Sequence, residues 1–266
     1  MRVVTWNLNV RRDCAAQVAA LAALAPDLVA LQEVTARSAP VLRALLTEAG
    51  LPFVICGTDV LPPGGEPRLD RFAAVASRWP LEPGRPADVP VPEVVVCTLA
   101  ETPGGVIDFV GAHLPNATRE PPLKIETQEG LFERMRAARD RPHILAGDFN
   151  SPKAETPDGD VIPFAPPRSG RAREAELLLH TGLREHGMTD AFRAANGYDV
   201  EEASWFWYNR GQSGGYRLDH IVASHHFTCL ASAYHHEPRL ARLSDHSPLS
   251  ATLGLSDAPA VRRGER

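Results

Sequence analysis

The sequence has few cysteines, no signal segment and no long apolar run, and each shortage excludes a class of protein. Its four cysteines lie far apart in 266 residues and form no CxxC pair, which argues against a zinc or redox motif and favours ordinary reduced thiols. No apolar run approaches the roughly 20 residues of a membrane-spanning helix. The N-terminus enters a strand pattern at once, which leaves no room for a signal peptide, so we expect a cytoplasmic protein.

The sequence also lacks the surplus of basic residues that is typical of proteins that bind duplex DNA. Lysine and arginine together number 28 against 33 aspartates and glutamates, which gives a formal net charge of −5. Because neutralising phosphates is the main source of non-specific affinity for DNA, this balance counts against large nucleic-acid substrates. This argument concerns only the net charge of the whole chain. A local basic patch is compatible with a negative net charge, and a carboxylate-rich site would itself lower that charge.

The apolar residues predict a single α/β domain over residues 1–256, followed by a flexible tail over 257–266. Hydrophobic residues make up 44% of the chain, which is ample for one large core. Periodicity predicts helices over 13–25, 38–49, 123–140, 171–181 and 189–195. Apolar runs predict strands near 3–6, 28–31, 53–55, 72–76, 94–99, 106–112, 143–146, 218–223 and 249–253. The proline-rich segment 152–170 is predicted to be a long surface loop, and two mixed sheets packed face to face with helices outside fit this pattern.

Polar side chains stand at or beside the ends of several predicted strands. The set comprises Asn7, Glu33, His113, Asp148, Asn150, Asp219, Asp245 and His246. If these strand ends converge, carboxylates, imidazoles and amides meet at one rim of the molecule. Ligation by carboxylate oxygens suits a hard cation such as Mg²⁺ or Mn²⁺ far better than zinc.

Hydrolysis of a phosphate ester needs this combination of groups. The anionic phosphate repels hydroxide, so a cation and hydrogen-bond donors must offset the charge that builds on its oxygens. A water molecule must also be deprotonated and aimed at phosphorus. The sequence therefore predicts a metal-dependent phosphoester hydrolase.

Six motifs in this chain resemble the signature of the endonuclease/exonuclease/phosphatase superfamily, in the superfamily's order. They are WNLN (6–9), LQE (31–33), HLPN (113–116), GDFN (147–150), RLDH (217–220) and SDHSP (244–248). The resemblance implies a four-layered α/β sandwich, with two packed mixed β-sheets flanked by helices. The blocks TDAFRAANG (189–197), SWFWYN (204–209) and YRLDHIVAS (216–224) look most like the exonuclease III and abasic-site endonuclease branch.

The resemblance also implies roles at the matched positions. Glu33 would be the principal metal carboxylate, with Asn7 and Asp245 near the same or a second metal position. Asp148 would orient or deprotonate the attacking water, and Asn150 would donate to the phosphate. His246 would contact the phosphate, held in its tautomer by Asp219.

The substrate is less well specified, because the motifs mix two branches. His113 stands where the abasic-site branch carries tyrosine, and it is similar to the DNase I, sphingomyelinase and phosphatase branches, where histidine acts near the leaving group. Asn9 and Asn116 complete motifs that would meet substrate. Trp205 and Tyr216, in an aromatic block, could form a pocket for an extruded abasic sugar. The expected partner is a phosphoester, with DNA as one candidate, and no obligate protein partner is evident. The alternatives are a small phosphoester or phospholipid head group, or an inactive binding module.

Several of these residues also have plain structural interpretations. His113 could be a satisfied core histidine, Asp219 a structural hydrogen-bond acceptor, and the aromatic block ordinary core or surface. Alternation along the strand places His220 on the face opposite Asp219, so core or surface is its default. Arg11 and Arg12 could meet a phosphate or simply begin a solvated helix.

Overall fold

The fold is known from a computed structural model that describes residues 1–10, 13–116 and 121–256. Arg11, Arg12 and the predicted tail over 257–266 lie outside these residues. Over the described ranges, no helix combines the length and the apolar character that a membrane crossing requires.

The elements follow one another as the alternating pattern predicts, with additional short strands. The strands are β1 (Arg2–Asn7), β2 (Leu28–Val34), β3 (Phe53–Cys56), β4 (Phe72–Ser77), β5 (Leu81–Pro83), β6 (Val95–Thr102), β7 (Gly105–His113), β8 (His143–Asp148), β9 (Ala154–Glu155), β10 (Val161–Ile162), β11 (Met188–Asp190), β12 (Trp205–Asn209), β13 (Gln212–Tyr216), β14 (Asp219–Ser224), β15 (Phe227–Tyr234) and β16 (Leu249–Leu255). The helices are α1 (Cys14–Ala23), α2 (Ala39–Glu48), α3 (Pro121–Arg136), α4 (Gly170–Leu177), α5 (Leu183–Glu185), α6 (Ala191–Asn196) and α7 (Glu237–Leu240).

Within the described residues, the longer strands form two six-stranded mixed sheets. The first has the order β15-β16-β1-β2-β4-β3, and the second has the order β11-β14-β8-β7-β6-β5. Each sheet contains one parallel pair, β1 with β2 and β7 with β8, and the other neighbours are antiparallel. In both sheets the parallel pair therefore lies at the centre. The two strands of each pair run in the same direction and end at the same edge of their sheet.

Three apolar layers hold the sheets and helices together. The layer between the sheets contains Leu28, Phe109 and Leu249. A second layer, with Trp6 and Leu46, joins the first sheet to α1 and α2, and a third joins the second sheet to α3. Helix, sheet, sheet and helix thus form the four-layered sandwich that the motifs implied, and the fold prediction is confirmed.

The segment 152–170 is more than the surface loop that its prolines predicted. It contains the two-stranded ribbon of β9 and β10, and its Glu155 side chain is only 6% exposed, between the guanidinium groups of Arg193 and Arg217. Proline and glycine indicate irregular backbone, but composition does not reveal an acid whose arginine partners lie 38 and 62 residues away. The strands β5 and β15 also escaped prediction, because each is an edge strand with little apolar alternation.

Candidate active site

The ends of five central strands bring the motif residues together. In the second sheet, Asp148 is paired in register with both His113 of β7 and Asp219 of β14. In the first sheet, Asn7 at the end of β1 pairs with Gln32, next to Glu33. Within each sheet, the strand ends therefore bring these motif residues side by side.

The turn after β8 explains why its motif reads Gly-Asp-Phe-Asn. A Cβ at Gly147 would overlap the carbonyl oxygen of Ala112 on the neighbouring strand, so only glycine permits this close approach. Asn150 adopts a φ of 49°, a left-handed conformation that asparagine tolerates better than most residues. Its backbone N–H then donates to Asp148 Oδ1 at 2.8 Å, which fixes the carboxylate at the strand end.

A buried carboxylate–imidazole pair lies beside Asp148. His246 Nδ1 is 2.7 Å from Asp219 Oδ2, and Asp219 is fully buried. Burial acts to lower the pKa of His246, but the adjacent Asp219 carboxylate outweighs it, and the pKa rises to about 10. The Asp219 carboxylate therefore favours the charged form of His246, and it occupies the Nδ1 side of the ring.

The second nitrogen of His246 faces Asp148. Its Nε2 lies 3.9 Å from Asp148 Oδ2, and that oxygen also accepts a hydrogen bond of 2.9 Å from Asn7 Nδ2. One atom each of Asp148, Asp219 and His246 lie within 4.8 Å of one another. A small polar group could therefore contact a carboxylate oxygen and an imidazolium N–H together.

Three residues that were not singled out from the sequence hold this pair in place. Ser244 Oγ donates to Asn7 O at 2.6 Å and accepts from the backbone N–H of His246. Ser204 Oγ accepts from Asp219 N at 3.1 Å, and Tyr234 Oη donates to Asp219 O at 2.6 Å. Ser244 and Ser204 lie inside quoted motifs, but nothing in the local sequence around Tyr234 indicates its contact.

Glu33 has an unusual backbone conformation and an arginine neighbour. Its φ is 57°, at a register shift between β2 and β4. Carboxylates rarely stand in this left-handed region unless the surrounding structure holds them there. The side chain is 14% exposed, and its Oε2 lies 3.1 Å from Arg71 Nη1.

The donor set fits a hard divalent cation. Glu33, Asn7 and Asp245 offer carboxylate and amide oxygens, which Mg²⁺ and Mn²⁺ prefer. Within the described part of the chain, Asp219 Oδ1 and His113 Nδ1 are buried without a hydrogen-bond partner. Buried polar atoms of this kind at a rim of carboxylates indicate a site built for an additional polar group.

The remaining predicted residues differ in how closely they approach this centre. The backbone N–H of Asn9 donates to Asn7 Oδ1 at 2.9 Å, and Asn150 Nδ2 donates to Leu114 O at 2.8 Å. Asn116 is exposed, beyond the end of β7. Their roles toward substrate, like that of His113, stay predictions.

An aromatic ribbon adjoins the centre. Strands β12 and β13 pair with each other, and Trp205 also bridges to His246 through the backbone. Trp205 Nε1 donates to the exposed Asp245 carboxylate at 3.1 Å. The Trp205 and Tyr216 rings are nearly parallel, with centroids 6.1 Å apart, and Phe164 meets Tyr216 edge-on at 4.9 Å. We call Trp205, Tyr216 and Phe164 the aromatic patch.

Lys124 of α3 is a buried cation that sequence reasoning missed. Its Nζ donates to Asn150 O at 2.8 Å and lies 3.4 Å from Glu176 Oε1. Burial lowers the pKa of Lys124, against the opposing effect of Glu176. The ammonium group therefore braces the turn that carries Asp148 and Asn150.

The sequence matches a known protein family over most of its length. Residues 4–246 match the Endonuclease/Exonuclease/phosphatase family. Among proteins of curated function, none matches the sequence significantly.

Three solved structures illustrate the likeness in fold. An endonuclease/exonuclease/phosphatase from Beutenbergia cavernae is 23% identical, with a TM-score of 0.69 over 98% of this chain and 73% of its own. An AP endonuclease from Archaeoglobus fulgidus is 22% identical, with a TM-score of 0.70 over 96% and 100%. The 3′ phosphatase NExo from Neisseria, bound to a product DNA hairpin, is 24% identical, with a TM-score of 0.70 over 96% and 99%. With the family matched over 4–246, the chain belongs to the Endonuclease/Exonuclease/phosphatase family of divalent-metal-dependent phosphoester hydrolases.

Proposed function

We propose that this protein is a Mg²⁺- or Mn²⁺-dependent phosphodiesterase that cleaves DNA, as an abasic-site endonuclease or a 3′ exonuclease. The observation that carries the proposal is the aromatic patch, which is fixed to the centre by the bond from Trp205 to Asp245. Aromatic rings beside a phosphate site offer a surface for a base or sugar that has left the stack. Two of the similar structures are an AP endonuclease and a 3′ phosphatase with DNA.

The side chains of the centre have complementary tasks in this reaction. A divalent cation held by Glu33, Asn7 and Asp245 would offset the charge on the phosphate oxygens. Asp148 accepts the proton of the attacking water, and its two oxygens are oriented by Asn7 and the Asn150 backbone. His246 donates from Nε2 to a phosphate oxygen, while Asp219 holds its other nitrogen.

Asn150 and His113 complete the proposed reaction. The Asn150 amide carries two hydrogens, of which one is bonded to Leu114 O and the other can donate to the phosphate. His113 lies beside Asp148 in the register of the sheet, where an imidazole can act near the leaving oxygen.

The test is incubation with a duplex that contains one abasic site, in the presence of Mg²⁺. For an abasic-site endonuclease we expect a nick at the abasic site and no internal nick in the matched intact duplex, and for a 3′ exonuclease we expect trimming from the 3′ ends of both duplexes. Either activity should be lost with Asp148→Asn. No nicking and no 3′ trimming at micromolar enzyme would reject DNA as the substrate.

A small phosphoester is the second candidate. His113 in place of tyrosine and the net charge of −5 favour it. A panel of sugar phosphates, nucleotides and phospholipid head groups distinguishes the two. Turnover of one of these esters without cleavage of DNA would support the second candidate, whereas DNA cleavage with no turnover of any ester would reject it.

A further inference from the structure

His220 lies directly behind the centre and contacts the turn that carries Asp148 and Asn150. It follows Asp219 in β14, is fully buried and points to the opposite side of the strand. Its Nε2 is 2.9 Å from the backbone oxygen of Ser151, and its ring stacks on Phe149 with centroids 4.8 Å apart and an interplanar angle of 21°. It thus touches the residues on both sides of Asn150.

The other ring nitrogen of His220 connects to a buried ionic cluster. Nδ1 is 3.0 Å from Asp190 Oδ2, and the same oxygen accepts from Arg217 Nη1 at 2.9 Å. Arg217 also binds Glu155, which in turn binds Arg193. We call Glu155, Asp190, Arg193, Arg217 and His220 the ionic cluster.

Both hydrogen bonds of the His220 ring are to oxygen atoms that only accept. A backbone carbonyl cannot donate, and the Asp190 carboxylate is ionised beside Arg217. Asp190 anchors one side of the ring, so the other side is aimed at Ser151 O with little freedom to rotate.

We propose that His220 is a positioning residue, which fixes the Phe149–Ser151 backbone and thereby the geometry of Asp148 and Asn150. The loss of kcat that we expect from this role rests on the proposed phosphodiesterase reaction. The last residue of the RLDH motif thereby receives a role. Asp219 of this motif holds His246 on one face of β14, and His220 holds the turn that carries Asp148 on the other face. One strand thus positions both halves of the centre.

The chain offers a matched control in His180. This half-buried histidine also contacts Ser151, but through the side-chain Oγ, at 2.9 Å from Nε2. Its ring is tilted at 51° to Phe149, with centroids 6.0 Å apart. The His180 ring also meets the His220 ring edge-on, with centroids 5.0 Å apart, so a general loss of packing behind the turn would affect substitutions at positions 180 and 220 alike. Only a substitution at position 220 removes the hydrogen bond to the Ser151 backbone.

The experiment compares His220→Phe with His180→Phe in two measurements. For His220→Phe we expect kcat on a phosphodiester to fall by about tenfold to a hundredfold, the scale of an ångström-sized misplacement, with KM within about threefold. We expect hydrogen exchange of the Phe149 and Asn150 amides, which are bonded to Leu218 O and Asp148 Oδ1, to accelerate about tenfold. His180→Phe should change neither quantity by more than about threefold.

A hydrogen-bond donor at position 220 should restore part of the activity that His220→Phe loses. His220→Gln keeps an N–H that can reach Ser151 O, so its kcat should exceed that of His220→Phe. If His220→Phe does not fold, His220→Asn takes its place, because the asparagine amide is too short to reach Ser151. The matched control is then His180→Asn. Equal effects at positions 180 and 220, or unchanged exchange at Phe149 and Asn150, would overturn the inference. If the wild-type protein cleaves no phosphodiester, the proposed function fails, while the exchange comparison still tests His220.

Discussion

The chemistry of the centre depends on two acids in different settings. Asp148 is held by an amide and a backbone N–H, whereas Asp219 is buried and bonded to His246. In the proposed reaction the first accepts the proton of the attacking water, and the second holds the imidazole of His246. Two carboxylates that are paired in register across β8 and β14 thus have different surroundings, and these fit the two different roles that we propose.

Replacing either Asp148 or His246 should greatly lower the rate of hydrolysis. We expect Asp148→Asn and His246→Ala each to lower kcat by at least about a hundredfold, because each removes an acid–base or charge-stabilising group from the reaction. The measurement is initial-rate hydrolysis of a phosphodiester with Mg²⁺ or Mn²⁺. His225→Ala, at an exposed turn, is the control and should retain wild-type activity. Full activity of either centre variant would contradict these roles.

The sequence predicted these residues as a site because each follows or interrupts an apolar run within a motif. Ser204, Tyr234 and Lys124 could not be identified in this way, since their contributions are hydrogen bonds to backbone atoms far along the chain. Glu33 was assigned as a metal carboxylate, but its left-handed backbone is visible only in the fold.

At the scale of elements, the ionic cluster joins β9, α6, β11 and β14 behind the site. Arg217 holds the pKa of Asp190 far below its ordinary value, against the effect of burial, which raises it. A carboxyl group with a depressed pKa stabilises the fold above the unfolded pKa of about 4, and this contribution is lost as the pH falls further toward the folded value.

Asp190→Asn should therefore destabilise the protein in a pH-dependent way. At pH 7 we expect a loss of about 3 kcal/mol in the free energy of unfolding, because a buried ion pair loses one partner. Below about pH 4 the difference from wild type should narrow, since the unfolded wild-type chain then takes up the proton. Urea unfolding between pH 3 and pH 8 measures both effects.

Glu133→Gln is the matched control for this prediction. Glu133 pairs with Arg136 on the exposed face of α3, where the two side chains are 57% and 51% exposed. An exposed pair contributes less than about 1 kcal/mol. A constant difference between wild type and Asp190→Asn from pH 7 to pH 3 would contradict the ionised state of Asp190.

The ribbon of β12 and β13 is the element that should determine substrate preference. Trp205→Ala should raise KM for DNA about tenfold, in line with the loss of roughly 1–3 kcal/mol of stacking, and leave KM for a small phosphodiester nearly unchanged. Tyr208→Ala, on the opposite face of the ribbon and 78% exposed, is the control. Equal effects of Trp205→Ala on both substrates would indicate a structural role.

Element prediction succeeded where one face or both faces of an element are buried. Helices α1 and α2 and strands β1, β4 and β7 agree with their apolar patterns to within a few residues. The segment from Pro152 to Gly170 was predicted to be a surface loop because it is rich in proline and glycine, and its buried Glu155 was missed because its arginine partners lie far along the chain. A pattern of apolar residues does not record that kind of pairing.

At the scale of the whole molecule, the four layers place the chemistry at the edge where the parallel pairs of both sheets end. Residues from 7 to 246 meet there, so the site forms only when the two sheets pack correctly. A cation bound at this edge should therefore stabilise the folded protein, because ligand binding to the native state alone shifts the unfolding equilibrium.

Thermal unfolding should show this coupling. At a Mn²⁺ concentration about a hundred times its Kd, we expect Tm to rise by about 5 °C or more. Glu33→Gln should lose most of the increase, since a neutral amide is a weaker ligand for a hard cation. An equal increase in Glu33→Gln would place the cation elsewhere.

The most direct test is hydrolysis of a phosphodiester by metal-depleted protein to which Mg²⁺ or Mn²⁺ is added back. We expect no activity in chelator, full recovery for the wild type and at least about a hundredfold lower activity for Glu33→Gln at saturating substrate. Cleavage that persists in chelator, or Glu33→Gln with wild-type activity, would contradict a cation-assisted centre at these strand ends.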